Sequence, residues 1–172
     1  MVKGKMKNSI YERAKLSRII LKAVNRHLFR WPLWGAIIMS FMIGILLHVK
    51  EVKFVSVMRE INVQIFNVAI AETSLILAAM AIIIVVYNKS ILKQIINVGN
   101  GTFEGFIFPY IWGASLWTIL AIGSLFFSLF PRFLEIFSIV IVYLGLVIYA
   151  ICFMLYIIGE LIQHVMLSSE IE

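Results

Sequence analysis

Four long apolar runs occupy most of this chain of 172 residues and limit what it can fold into. They lie at about residues 33–49, 65–87, 106–130 and 136–159, and the last two contain no charged residue. A helix of about 20 apolar residues is long enough to cross the hydrocarbon core of a bilayer. Backbone polar groups find no water there, and a helix satisfies them internally. The runs therefore predict an all-α, polytopic membrane protein with four transmembrane helices.

The composition leaves little chain for a soluble domain. Hydrophobic residues make up 62% of the sequence and charged residues 14%, whereas soluble domains have roughly 45–50% and about 25%. We therefore expect a basic arm at residues 1–30, a membrane domain at residues 31–167 and a short tail at residues 168–172. The polar and basic residues before the first run do not resemble a cleaved signal peptide.

The lysines and arginines predict how the chain is oriented, because these residues concentrate in cytoplasmic segments. Nine of them lie in residues 1–30, and Lys89 and Lys93 lie between the second and third runs. The segments predicted to lie on the opposite side of the membrane contain four lysines and arginines. We therefore expect a multi-pass protein of a bacterial inner membrane, with both termini in the cytoplasm. The four on the outer side are Lys50, Lys53, Arg59 and Arg132.

The arm carries a basic amphipathic helix over residues 8–30. At 100° per residue, its aliphatic residues share one face and its basic residues another. One interpretation is a helix lying on anionic lipid. The other is a binding surface for a nucleotide, an oligonucleotide or an acidic cytosolic protein. The pattern leaves both open. The basic face consists of Lys15, Arg18, Lys22, Arg26 and, at its edge, Arg30.

An oligomer would bring several such arms together. Each arm has nine basic residues and one glutamate. In a tetramer, the assembly we favour, converging arms would repel one another unless an anion bound between them. A converging ring would therefore respond to a ligand, whereas arms spread on lipid would not.

Glu72 is the one charged residue within the second run. A carboxylate facing lipid costs a few kcal/mol, so we expect this side chain at a helix interface or on a watery path. It is a candidate for the ion path or for gating, and a structural hydrogen-bonding role is the alternative. The nearby Asn62, Gln64 and Asn67 indicate that water reaches this end of the helix.

Small residues recur at intervals of three and four on two of the predicted helices. Such spacing lets helices approach closely in lipid. The rows predict packing either within one subunit or between subunits. The second run contains Ala71, Ser74, Ala78 and Ala81, and the third contains Ala114, Thr118, Ala121 and Ser128.

The sequence offers no pattern typical of an enzyme. It contains no aspartate and one cysteine, Cys152, and its histidines and cysteine do not have metal-ligand spacing. No serine or cysteine has the partners of a catalytic triad. We therefore expect no catalytic residue, no metal and no cofactor.

The segment AETSLILAAMAIIIVVYNKSILKQI (Ala71–Ile95), followed by a turn and an aromatic-rich run, resembles small four-helix membrane proteins of bacterial anti-phage systems. The outline is similar to the membrane effector of Hailong systems and, less closely, to the membrane subunit of Kiwa systems. Hailong effectors are ion channels whose cytoplasmic vestibule binds nucleotide oligomers. By this resemblance, the basic arm at residues 15–30 would supply the vestibule.

These features favour a homo-oligomeric channel or pore-forming effector of anti-phage defence, gated by an anionic, nucleotide-type ligand at the basic arm. The alternative is a non-conducting membrane scaffold that recruits a cytosolic partner protein through the arm or the tail.

Overall fold

The computed structural model describes residues 31–49, 54–86 and 102–170. Within these ranges the chain is helical and has no β-strand, which confirms the all-α prediction. The basic arm, with Lys15, Arg18, Lys22, Arg26 and Arg30, lies outside them. The helices are α1 (Trp31–Val49), α2 (Phe54–Val86), α3 (Thr102–Leu129) and α4 (Phe137–Glu170), and a 3-10 helix (Pro131–Glu135) joins the last two.

Three of the four helices are long and apolar enough to cross a membrane. The qualifying segments are Ser56–Val85, Ile107–Leu129 and Phe137–Gln163. The first helix, α1, is the shortest with 19 residues, and its apolar segment Trp31–Leu46 is shorter than these three. Length and composition therefore support three of the four predicted spans.

The second helix begins well before the apolar run predicted from the sequence. It starts at Phe54 rather than near residue 65 and has 33 residues, which corresponds to about 50 Å. A hydrocarbon core is about 30 Å thick. The helix therefore tilts, or extends beyond the core, at the end that carries Arg59 and Glu60.

The helices form two pairs. α1 packs mainly against α4, and α2 mainly against α3, while contacts between α3 and α4 join the pairs. α1 runs antiparallel to α4, because Ser40 approaches Gly145 and the later Gly44 approaches the earlier Ile141. A Cβ on Gly145 would lie 3.4 Å from the Ser40 Oγ, so the glycine permits this close approach.

The core lies where α2, α3 and α4 meet. Gly113 of α3 faces Ile76 of α2 and both Phe153 and Ile157 of α4. All three of these neighbours are at most 2% exposed. A Cβ at position 113 would overlap the Ile157 side chain and crowd that of Ile76, so the glycine permits the close packing of the three helices.

Replacing Gly113 with valine is therefore expected to destabilise the fold. Overpacking a core typically costs about 1–3 kcal/mol. Gly159 of α4 is the matched control, because nothing lies within 4 Å of a Cβ built there. Titrating each purified variant with a denaturing detergent, followed by circular dichroism, should show Gly113→Val unfolding earlier than Gly159→Val. Equal midpoints would contradict this packing.

A single 3-10 helix, Pro131–Glu135, connects α3 to α4. It follows α3 after one residue and is itself followed by α4 after one residue. The Ile136 N–H donates to the Phe133 carbonyl at 3.3 Å, and the Val140 N–H donates to the Ile136 carbonyl at 3.2 Å. These bonds carry the chain directly into α4.

Candidate functional site

A buried polar cluster connects three helices near the 3-10 turn. Its members, which we call the Asn62 cluster, are Asn62 of α2, Ser124 and Ser128 of α3, and Tyr143 of α4. Asn62 is 2% exposed, Ser124 0% and Tyr143 5%. Polar groups buried in this way are costly unless they are hydrogen-bonded.

Asn62 uses both ends of its amide in the cluster. Its Nδ2 donates to the Ser124 carbonyl and to the Ser128 Oγ, both at 2.8 Å. Its Oδ1 accepts from the Tyr143 OH at 2.9 Å and lies 2.9 Å from the Ser124 Oγ. The Ser124 Oγ is also 2.5 Å from the Asn62 carbonyl. One side chain thus holds α2, α3 and α4 in a single register.

Aromatic rings surround this cluster on the side of the 3-10 turn. The Phe127 and Tyr143 rings pack edge to face with centroids 4.8 Å apart. Phe126 contacts Phe130 and Phe133 at 5.0 and 5.4 Å. Rings in such arrangements stabilise one another beyond the area they bury. Phe127 is the ring that contacts a member of the cluster, Tyr143, whereas Phe126, Phe130 and Phe133 are exposed.

Glu72 lies in the same helix, ten residues beyond Asn62, which corresponds to about 15 Å. It is partly buried. Its Oε2 is buried and has no hydrogen-bonding partner among the described residues. A buried carboxylate oxygen without a partner among the described residues is costly in an apolar zone unless a cation, a proton, water or a group outside these residues satisfies it. The structure does not bring Glu72 and the Asn62 cluster together.

The fourth helix, α4, makes further polar contacts beyond the Asn62 cluster. Trp112 Nε1 donates to the Tyr149 OH at 3.1 Å, which links α3 to α4. Tyr156 donates to the Oε1 of Glu160 one turn later. Glu160 is 23 residues beyond the start of α4, or about 34 Å, so α4 spans an apolar zone between Glu135 and Glu160.

A cavity of about 230 Å³ opens between α1, α3 and α4. None of its lining residues is charged, and Ser40, Trp112 and Tyr149 supply its polar groups. The Ser40 hydroxyl already donates to the Ile37 carbonyl at 3.1 Å. Pockets for small molecules usually measure about 300–1,000 Å³. The cavity is therefore too small and too apolar to bind a nucleotide.

Positive charge is sparse in the described ranges. Arg59 and Arg132 are the two basic residues there, apart from histidine, and both are exposed. No group of three or more potential metal ligands occurs in the part of the chain that was described. An anionic ligand would therefore depend on the basic residues outside these ranges, which include the arm.

The sequence-based interpretation of Asn62 is wrong. Asn62, Gln64 and Asn67 together indicated water at this end of α2, yet Asn62 is buried and fully engaged. Gln64 and Asn67 are exposed. Asn62 is separated from its partners by 62 to 81 positions, and no local pattern links it to them. The sequence did contain one indication of its burial: at 100° per residue, Asn62 lies on the side of the helix opposite to Gln64 and Asn67.

The small-residue rows differ in their environment. Ala114 of α3 is buried, and Ser128 contacts Asn62, so part of the α3 row packs within the subunit. The entire α2 row is exposed in the single chain. Within residues 31–49, 54–86 and 102–170, no helix therefore packs on the α2 row. That row is Ala71, Ser74, Ala78 and Ala81.

Comparison with known proteins identifies no relative: no protein family, no characterised protein and no solved structure matches this chain.

Proposed function

We propose that this chain is a homo-oligomeric ion channel of the bacterial inner membrane, with four spans and both termini in the cytoplasm. The basic arm binds an anionic, nucleotide-type ligand, and binding shifts a closed–open equilibrium. The chemistry is ion flow and not catalysis. The resemblance to anti-phage membrane effectors suggests defence as the setting.

Glu72 is the observation on which the proposal depends most. Its Oε2 is buried without a partner among the described residues, in a helix long and apolar enough to span a membrane. Ionisable groups at membrane depth typically mark ion or proton pathways. A scaffold that only recruits a protein has no need of such a group.

The packing of α1 against α4 supports α1 as a fourth span. α1 lies antiparallel along α4, with Ser40 beside Gly145 and Gly44 beside Ile141. Those positions on α4 fall within its membrane-length segment, Phe137–Gln163. A helix packed along such a segment lies at the same depth. Trp31 and Trp34, both exposed at the start of α1, suit a headgroup region.

Ion flux through purified protein tests the proposal. The protein is reconstituted in liposomes loaded with a potassium-sensitive dye, with and without nucleotides and short oligonucleotides. We expect ligand-dependent flux. If no current or flux occurs under any ligand condition, the channel is excluded; co-purification of a cytosolic protein through the arm would then favour the scaffold.

Replacing Glu72 with glutamine is expected to preserve the fold and to change conductance or its pH dependence. The substitution keeps the side-chain size but removes the charge. Planar-bilayer recording at several pH values measures the effect, and Glu160→Gln is the control, because the Glu160 Oε1 already has a partner in Tyr156. A Glu72→Gln current identical to wild type at every pH would remove this residue from the ion path.

A further inference from the structure

The outward face of α2 has an organisation that the single chain does not explain. α2 is the least buried long helix: 17% of its most apolar stretch is buried, compared with 39% in α3 and 33% in α4. On its inner side, buried residues recur every seven positions, at Asn62, Ala69, Ile76 and Ile83. The opposite side is open to its surroundings.

A row of polar and small residues runs along the centre of that open side. Its members recur at alternating intervals of three and four, and every one is exposed. We call them the central row. Such 3.5-residue spacing is the signature of helices that pack with a left-handed crossing of about +20°. The central row is Gln64, Asn67, Ala71, Ser74, Ala78 and Ala81.

Large aliphatic residues border the central row on both sides, again seven positions apart. All are between 39% and 60% exposed. These branched aliphatic side chains suit contact with lipid chains. The central row, which lies between them, exposes small and polar side chains instead. The open side of α2 thus has a narrow seam between two apolar ridges. The ridges are Val68, Leu75 and Ile82 on one side and Ile70, Leu77 and Ile84 on the other.

The two amides of the central row are the decisive observation. Ser74 donates to the Ile70 carbonyl at 3.0 Å, so its hydroxyl is satisfied by its own helix. Neither Gln64 nor Asn67 has a hydrogen-bonding partner among the described residues. A primary amide in hydrocarbon without a partner is strongly unfavourable.

Asn67 lies deep within the apolar zone. Asn62 bonds Tyr143, which is six residues, or about 9 Å, into α4. Asn67 is five residues further along α2, or about 7.5 Å. Counted from the start of α4 it is therefore about 16 Å in, and counted from the exposed Glu60, seven residues earlier on its own helix, about 10 Å, so it lies inside a 30 Å core by either measure. An amide at such a depth is stabilised by a hydrogen-bonding partner, which a second copy of the chain can supply.

We propose that the central row of α2 is the contact surface for a second copy of this chain. Copies inserted in the same orientation are related by an axis along the membrane normal, so equal residue numbers meet at equal depth. An amide carries both donor and acceptor, so Asn67 can bond Asn67 of the second copy reciprocally. A polar residue within a seam of this period also sets the helix register.

The inference rests on the oligomer that the proposed channel requires, but it does not depend on conduction. It places α2 at the contact between copies and leaves α4 facing lipid or other parts of the assembly. The small residues Ala71, Ser74, Ala78 and Ala81 allow the two helices to approach closely.

Disulfide formation between copies tests the surface. In a Cys152→Ala background, which removes the native cysteine, Ser74→Cys places a nearly isosteric thiol in the central row. Leu155→Cys is the matched control: it is 60% exposed on α4, between Phe153 and Ile157, which lie level with Ile76. Both thiols thus lie at similar depth and on different faces.

Purified protein in liposomes is oxidised and examined by denaturing gel electrophoresis. We expect a covalent dimer with Ser74→Cys at a yield at least several-fold above that of Leu155→Cys. Asn67→Cys provides a second position in the same row. If neither central-row cysteine exceeds the control, the surface is excluded, and another face or another protein covers α2.

Flux measured on the same liposomes separates this inference from the channel. If Ser74→Cys forms covalent dimers but no flux occurs under any ligand condition, the contact is supported and the channel is rejected. Flux with no preferential crosslinking would reject the contact and support the channel.

Discussion

Replacing Asn62 with alanine is expected to lower the free energy of unfolding by about 2–4 kcal/mol. Hydrogen bonds between membrane helices contribute on average about 0.6 kcal/mol each, and Asn62 makes several. The substitution also removes the Asn62 acceptor of the Tyr143 OH and leaves it with Ser124 alone, and loss of hydrogen bonding by a buried group costs about 1–3 kcal/mol. Detergent-induced unfolding of the purified protein measures the loss.

A double-mutant cycle identifies the origin of this loss. Tyr143→Phe alone removes one bond and is expected to cost about 1 kcal/mol. In the Asn62→Ala background it should cost clearly less, because the Asn62 acceptor is already gone and only the contact with Ser124 remains. If Tyr143→Phe had the same effect in both backgrounds, the Asn62–Tyr143 bond would not stabilise the fold. Val63→Ala, which truncates the neighbouring side chain on α2 that is 54% exposed, is the control for removing side-chain volume.

Neutralising the basic face of the arm is expected to weaken oligonucleotide binding by about 10²–10³-fold at 0.1 M salt. Single-stranded nucleic acids show a slope of log K against log salt of about −0.7 per neutralised phosphate. Replacing Lys15, Arg18, Lys22 and Arg26 with glutamine should therefore reduce the slope by about 3. Fluorescence anisotropy of a labelled oligonucleotide over a salt series measures both values.

The lipid composition and a second variant separate the explanations of such binding. Nanodiscs of zwitterionic lipid remove competition by anionic headgroups, and discs of anionic lipid restore it. The control replaces Lys3, Lys5 and Lys7, which precede the amphipathic segment. An equal loss per charge in both variants would mean that net charge alone attracts the oligonucleotide. Binding that does not change with salt would contradict an electrostatic site altogether.

Hydropathy predicted the elements of the fold with little ambiguity. The uncharged runs at residues 106–130 and 136–159 correspond closely to the membrane-length segments Ile107–Leu129 and Phe137–Gln163. The second run was predicted to begin too late, because Arg59, Glu60 and Asn62 lower the hydropathy before residue 65. The helix continues through them: Arg59 and Glu60 are exposed, and Asn62 is bonded.

Only part of the candidate site could be predicted from the sequence. Glu72 could be singled out because a charge within an apolar run is visible in one stretch of sequence. The Asn62 cluster could not, because its partners in α3 and α4 are 62 to 81 positions away. Asn62 and Asn67 are the same residue type in the same helix, so residue type does not indicate that Asn62 is buried and Asn67 exposed.

Residue types alone predict a helical, strongly apolar chain with an uneven distribution of charge, because a backbone in lipid must be hydrogen-bonded internally and lysine and arginine concentrate in cytoplasmic segments. The packing of the helices, and not their composition, establishes which side of α2 is buried and which row is open. That choice depends on how each helix is rotated about its axis, which is set by the pairing of Asn62 with Ser124 and Tyr143 and by the close approach at Gly113.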